Sequence, residues 1–337
     1  MMAMRNSDKK FLEMLSKSNN FNLINAANVK SGLLIKNFVR SVKELTTHNY
    51  ELNGLPILIA ADKTVFDFSK NDVFELSKVD LCARIYGHQD LSYIGFRHAY
   101  KTNQYISEFK VKSEFEEQFK VLINQNHNCL SRIQKLKEKK GRIGAFQTRN
   151  IPHSGHEAII KSMLENCDHI VINPVMGPKK KGDIRFEALE KIFSNLTRRK
   201  YAGKLSFNPI IANMFYAGPK EAIHHAVLRQ NLGFDLFSVG RDHAGADGYY
   251  KPNAATELIK KYSHLLNIDI MCHSGAVFCD KCKKALLLGA CKCDKKYIRD
   301  IAGTEFRREL SKKRIYPLAD LHMQEYILQK KFVLFEK

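Results

Sequence analysis

Between Arg142 and Gly240 the chain repeats one pattern: a short apolar run, a loop of turn formers, then apolar residues at helical spacing. Arg142–Phe146 reads as a strand, and Ile159, Ile160, Met163 and Leu164 as the inner face of a helix ending near Asn166. His169–Val175 reads as a second strand. A helix with the apolar stripe Phe186, Leu189, Ile192 and Phe193 follows, and Asp183 is placed to cap it. Residues 205–212 read as a third strand. Pro219 opens a helix and Gly233 closes it, before a fourth strand over Phe234–Val239. Strands alternating with helices predict an α/β fold around a parallel sheet. In such sheets ligands sit beyond the carboxyl ends of strands. The polar loops at 147–156 and 240–245 both follow strands, so they are expected to face one pocket.

The first loop is Gln147-Thr148-Arg149-Asn150-Ile151-Pro152-His153-Ser154-Gly155-His156. A helix N-terminus offers unpaired N–H groups and partial positive charge, which suits an anion. Arg149 adds a planar fork for a tetrahedral oxyanion, and two imidazoles can hydrogen-bond phosphate oxygens. The bland alternative is a polar turn with incidental histidines. In the second loop, Gly240 permits close backbone approach, Arg241 can neutralise phosphate, and Asp242 can orient it or His243. The alternative there is a surface loop with its own Arg–Asp pair.

Around this core the text changes. Residues 1 to about 45 mix polar residues with apolar ones at helical spacing, such as Phe11, Leu12 and Leu15. Leu55–Ala60, Val65–Phe68 and Leu81–Tyr86 read as strands of a small β-rich region. His88, Tyr93 and His98 within it read as surface or packing residues. Phe115–Lys140 reads as a polar, partly helical connector at a domain boundary. The segments Thr304–Lys313 and Leu318–Gln329 read as packing and surface helices, the first capped by Thr304.

Of eight cysteines, Cys279, Cys282, Cys291 and Cys293 lie together, while Cys82, Cys129, Cys167 and Cys272 are scattered. Two cysteines separated by two residues, followed by a second close pair, suit a tetrahedral thiolate metal site better than a disulfide framework. A reduced, metal-free cluster is the alternative. The net charge of +20 favours anionic partners. Its lysines are spread along the chain with short clusters only, Lys135–Lys140 and Lys179–Lys181, and nucleic-acid binding is not expected. Charged residues in Met1–Lys10 stand where a secretory leader needs an apolar core, and no apolar run approaches membrane-spanning length. A cytoplasmic protein without membrane association is expected.

Four stretches together resemble the ATP sulfurylase (sulfate adenylyltransferase) family. Gln147-Thr148-Arg149-Asn150 with His153 and His156 resembles that family's Q-x-R-N-P-x-H-x-x-H. Gly240-Arg241-Asp242-His243-Ala244-Gly245 matches its G-R-D-H-A-G. Met214 to Ala222 resembles M-R-Y-A-G-P-R-E-A, and Ala302 to Arg307 resembles S-G-T-x-x-R. The likeness runs from about residue 140 to 310. Before that, Ala26–Val42 and Tyr86–Gly95 are only reminiscent of the family's first domain, which looks shortened.

The resemblance implies an N-terminal β-rich, PUA-like domain over 1–135, a Rossmann-like nucleotidyltransferase domain over 136–260, and a small zinc-binding α/β domain over 261–337. It implies transfer of adenylyl from ATP to sulfate, with pyrophosphate leaving and magnesium arriving on the ATP. Gln147, Arg149 and the backbone at Ala244 would hold sulfate. Thr148, Arg149 and Asn150 match the catalytic triplet. His153, His156 and Arg241 would face the ATP phosphates, Gly240 to His243 would complete the nucleotide site, and Val277 would sit by the adenine. Certain bacterial members carry a zinc motif whose fourth ligand is a histidine. Here that place is Lys295, so Cys293 is expected as the fourth ligand, with His273 as the weaker substitute. Ile151 stands where the family has proline, Phe215 replaces an arginine, and Ala246-Asp247 replaces Pro-Gly. A different oxyanion or acid as acceptor, or a non-catalytic regulatory homologue, are the rival readings. A homo-oligomer is compatible with the sequence.

Overall fold

The computed structural model describes residues 21–34, 57–99, 101–178, 182–241, 243, 248–330 and 332–335. Phe11, Leu12, Leu15, Lys179–Lys181, Asp242 and Ala244–Asp247 lie outside them, as does the His98 side chain.

The core is a five-stranded sheet, parallel throughout. Fourteen strands are named in chain order among the described residues: β1 Phe66–Asp67, β2 Val73–Glu75, β3 Gln104–Ile106, β4 Lys110–Val111, β5 Ile143–Phe146, β6 His169–Ile172, β7 Val175–Met176, β8 Leu205–Phe207, β9 Ile210–Ile211, β10 Leu236–Gly240, β11 Asp269–His273, β12 Ala276–Cys279, β13 Lys284–Leu287 and β14 Ile298–Asp300. The helices are α1 Phe21–Lys30, α2 Lys78–Tyr86, α3 Ile94–Ala99, α4 Ser113–Lys140, α5 Ser154–Leu164, α6 Phe186–Lys200, α7 Pro219–Asn231, α8 Ala254–Tyr262, α9 Gly303–Ser311 and α10 Leu321–Gln329.

The sheet order is β11-β10-β5-β6-β8. The chain starts in the middle at β5, moves outward through β6 to β8, then returns to β10 on the other side. Alternate strand residues serve opposite faces, as a pleat requires. Ile143, Ala145, Val171, Phe237 and Val239 pack with apolar residues of α4, α7 and α8. Phe146, Ile170, Ile172 and Leu205 pack with those of α5, α6, α9 and α10. This is the doubly wound arrangement, and its reversal lies between β5 and β10.

Several sequence expectations change. Leu81–Tyr86 is the body of α2, not a strand. Ser77 accepts from the Asp80 N–H at one end and Gly87, at φ 74°, closes the other. Leu81, Cys82, Ile85 and Tyr86 are the buried face, a helical spacing that six residues alone do not distinguish from a strand. The N-terminal region does hold short antiparallel pairs, β1 with β4 and β2 with β3. The expected connector is a single helix of 28 residues, α4, which buries Leu122, Asn126, Cys129 and Ile133. Asn126 donates to Asn28 of α1 at 2.9 Å, so α4 is part of the core packing. The run 205–212 is two strands, β8 and β9, and 169–175 is β6 followed by β7, which pairs with β9. The sheet also passes the expected boundary at residue 260, because β11 is its fifth strand. Beyond it, β13-β12-β14 form a separate antiparallel sheet against α5.

Candidate active site

At the reversal between β5 and β10 lies an open cleft of about 190 Å³. Gln147, Thr148, Arg149 and Asn150 enter it from β5, His156 from α5, Gly240 and His243 from β10, and His273 from β11. The two loops singled out from sequence therefore meet in one cleft.

The spacing of His153 and His156 has a local cause. His153 is the N-cap of α5 and His156 the third helical residue. His153 Nδ1 accepts from the Gly155 N–H at 3.2 Å, and His156 Nδ1 accepts from the His153 N–H at 3.3 Å. This is a reciprocal capping box built from two imidazoles. It corrects the expectation of free helix-end N–H groups: Gly155 N is used by His153, and Ser154 N donates to Leu318 O at 3.0 Å. Since each Nδ1 is an acceptor, each Nε2 carries the proton. Burial pushes His153 down to about 4 and His156 well below its ordinary value. The pair, with ring centroids 4.0 Å apart, is thus a set of neutral Nε2–H donors.

Arg149 lies between an anion and an aromatic face. Its Nη1 is 3.7 Å from Oδ1 of Asp183, and its guanidinium is 5.7 Å from the Tyr216 ring centre. Asp183 does not cap α6, whose N-cap is Arg185 without a side-chain bond; it is buried beside Arg149. Thr148 Oγ1 accepts from the Asn150 N–H at 3.0 Å, which tightens the loop. Asn150 Oδ1 accepts from Arg307 of α9. Thr304 is inside α9 and Ala302 is its N-cap, so this helix brings a cation to the site where packing alone was expected.

Tyr216 itself adopts φ 56°, a left-handed conformation unusual for a bulky residue. The N-terminal region holds it there: Tyr86 donates to Phe215 O at 3.2 Å, and Tyr93 donates to Tyr216 O. A β-carbon on Gly95 would come within 2.7 Å of Phe215 O, so only glycine allows this approach. Tyr93 is therefore a support of the site, while His88 stacks among Tyr93, Tyr249 and Phe96.

Some expected residues stand elsewhere. Arg241 is exposed just after β10. Val277 is buried within β12, and neither it nor His153 lines the cleft, which His156 alone of the two helix-cap histidines reaches. Asp242 and Ala244 lie outside the described residues. His273 is in the cleft with Nε2 3.0 Å from Ser238 Oγ, and is not near the cysteines' ligand set. Gln147 Oε1 and His273 Nδ1 are buried polar atoms with no hydrogen-bond partner in the protein, which is the condition of atoms awaiting a polar ligand.

The four clustered cysteines present sulfurs within 4.8 Å of one another. Cys282 Sγ is 3.9 Å from Cys291 Sγ and 3.6 Å from Cys293 Sγ. Tetrahedral zinc with bonds near 2.3 Å sets its sulfurs roughly 3.8 Å apart, so the set fits that ion. The Cys282 N–H points at Cys279 Sγ at 3.4 Å, and Lys283 takes φ 53°, closing a tight thiolate turn.

Comparison with known proteins gives the family. The family model for ATP-sulfurylase matches residues 126–319. The chain is 34% identical over 246 residues to the sulfate adenylyltransferase of Pyrococcus abyssi, covering 70% of this chain and 62% of the relative. It is 33% identical over 279 residues to that of Ignicoccus hospitalis, covering 81% and 69%. With that of Staphylothermus marinus it shares 41% over 184 residues, 54% of this chain and 48% of the relative. The chain thus spans from about half to about two-thirds of the length of these relatives. Among solved structures, a hexameric APS kinase from Thiobacillus denitrificans superposes with TM-score 0.61 over 96% of this chain and 66% of that chain, at 12% identity, a likeness of fold. Because the family model spans residues 126–319, more than half of its length, the chain belongs to the ATP-sulfurylase family.

Proposed function

We propose that the protein is a sulfate adenylyltransferase, joining ATP and sulfate to give adenylyl sulfate and pyrophosphate. The observation that carries this reading is the meeting of the 147–156 and 240–243 loops in one cleft at the sheet reversal. Gln147 and Arg149, with the backbone at Ala244, hold sulfate. Thr148, Arg149 and Asn150 surround the reacting phosphorus. His153, His156 and Arg241 take the ATP phosphates and Gly240 to His243 complete the nucleotide site, while Val277, buried in β12 away from the cleft lining, takes no direct contact.

A sulfate oxygen attacks the α-phosphorus in line, forming the S–O–P bridge as the bond to pyrophosphate breaks. Sulfate is fully ionised near neutrality, so no general base is needed. The work is positioning and charge stabilisation. Neutral Nε2–H donors suit the leaving pyrophosphate, because they stabilise growing charge without first neutralising it in the ground state. Magnesium comes with ATP.

The same proposal covers the architecture: a shortened, PUA-like N-terminal part, a catalytic α/β part, and a C-terminal part whose Cys279, Cys282, Cys291 and Cys293 hold structural zinc, as in the zinc-containing bacterial type. The second boundary moves from residue 260 to the end of β11. A soluble, cytoplasmic enzyme without nucleic-acid or membrane partners belongs to this reading, and among the described residues no helix is long and apolar enough to cross a membrane.

The test is pyrophosphate release from ATP in the presence of sulfate, molybdate, selenate or phosphate. Sulfate-dependent release is expected. Release independent of any oxyanion, or none, sinks the reading.

A further inference from the structure

Helix α7 carries Glu221, His225 and Arg229 four residues apart, and all three are fully buried. Removing such groups from water costs several kcal/mol before partners are counted. Their contacts run toward the cleft. Glu221 Oε1 accepts from the Phe215 N–H at 3.1 Å, and Oε2 from the Ala217 N–H at 2.9 Å. The carboxylate thereby brackets Tyr216, the residue whose ring faces Arg149. Oε1 also lies 3.1 Å from His225 Nε2, too oblique for a hydrogen bond, so the carboxylate acts on a neutral ring through the dipole of its edge. On the other edge of that ring, His225 Nδ1 is 3.0 Å from Nε2 of His243, which lines the cleft.

Burial raises the Glu221 carboxyl, but both of its oxygens accept backbone N–H bonds, so a lone pair on His225 Nε2 would face oxygen lone pairs; the ring proton therefore belongs on Nε2, and Nδ1 keeps its lone pair. His243 must then bring its own proton on Nε2, which leaves its Nδ1 as an acceptor. Burial holds both imidazoles neutral, and the Arg229 guanidinium beside them opposes any added proton.

We propose that Glu221 and His225 are positioning residues that fix His243 as a neutral, Nε2-protonated imidazole offering the cleft a hydrogen-bond acceptor. An acceptor does not bind a phosphate oxygen; it takes an N–H or O–H, such as those of a base or ribose. The cleft is therefore polarised. Its α5 wall presents the Nε2–H donor of His156 to phosphates, and its β10 wall presents a lone pair to the nucleoside. This assignment of the nucleotide's direction rests on the adenylyl-transfer reading, whereas the tautomer does not.

The test is ¹H–¹⁵N spectroscopy of the full chain labelled at histidine, with the His243 signal identified by its loss in His243→Ala. The wild type should show His243 as the Nε2–H tautomer. In His225→Ala the His243 signal should move toward a tautomer mixture, and affinity for magnesium-ATP measured without sulfate should fall about tenfold, the loss of about one hydrogen bond. His225→Asn, whose side-chain oxygen can replace Nδ1, should recover most of that loss. An Nδ1–H signal for His243 in the wild type, or an unchanged signal in His225→Ala, overturns the proposal; the wild-type spectrum decides even if a variant does not fold. An ordered His243 tautomer in a chain that shows no sulfate-dependent pyrophosphate release would refute the functional reading and leave the relay standing.

Discussion

Acidification offers a direct test of how the site's histidines are held. A histidine kept unprotonated by the fold takes up its proton only on unfolding. The unfolded chain then binds more protons, and stability falls with falling pH. The stabilisation is complete above the ordinary histidine value near 6.5, is lost progressively below it, and levels off once the folded-state value is passed. His153 and His273 are lowered to about 4, and His224, buried on α7 next to His225 and outside the cleft lining, to about 3, in each case chiefly by burial. Going from about pH 7.5 to about pH 5.5 should therefore remove about 1.3 kcal/mol per group, roughly 4 kcal/mol for these histidines together. His156, His225 and His243 are lowered well below their ordinary value by burial and add in the same direction. Against a total of about 5–15 kcal/mol this is a large loss. The chain has no tryptophan, so urea unfolding at each pH is best followed by circular dichroism. His224→Asn isolates one histidine's share: its pH-dependent loss should be smaller by about 1.3 kcal/mol. A flat or reversed pH dependence, or an unchanged slope in His224→Asn, refutes the reasoning.

Arg149→Ala should lower adenylyl transfer by about a thousandfold or more with near-ultraviolet dichroism unchanged, because it removes the cation fixed between Asp183 and Tyr216; turnover above about a tenth of wild type would contradict that role. Arg307→Ala frees Asn150 and should reduce kcat by about tenfold to a hundredfold with ATP affinity nearly unchanged, which steady-state kinetics can separate. Gly155→Ala would place a β-carbon 3.0 Å from the His153 ring, so ATP affinity by calorimetry should fall by about tenfold. Elemental analysis should find about one zinc per chain, and its chelation should unfold the β12–β14 sheet; a folded, metal-free protein would reject the site.

Much of the site was legible because its residues are consecutive. Gln147 to His156 and Gly240 to His243 follow strands, and parallel α/β topology alone brings the ends of β5 and β10 together. What escaped depends on partners distant in sequence. Glu221 and His225 look like ordinary helical residues until His243 is seen opposite them. Arg307 belonged to a recognised motif, yet its contact with Asn150 needs α9 folded against the loop. The run Leu81–Tyr86 is too short for periodicity to choose between strand and helix; the structure caps it as a helix with Ser77 and Gly87. The strand Asp269–His273 has no alternation and few β-branched residues, and only its register beside β10 makes it part of the sheet. The His-x-x-His spacing suggests phosphate ligands, while its geometric origin is the N-cap and third position of a helix.

The hydroxyls of Tyr86 and Tyr93, reaching across to Phe215 and Tyr216, give the N-terminal region an unusual evolutionary constraint. Sequence drift or length change between residues 86 and 95 would be tolerated by the sheet, whose strands lie elsewhere, yet it would loosen the aromatic floor beneath Arg149. Changes in this short stretch should therefore leave a well-folded protein with impaired oxyanion handling, and grafting a foreign N-terminal module onto the core should succeed only when the two tyrosines and Gly95 travel with it.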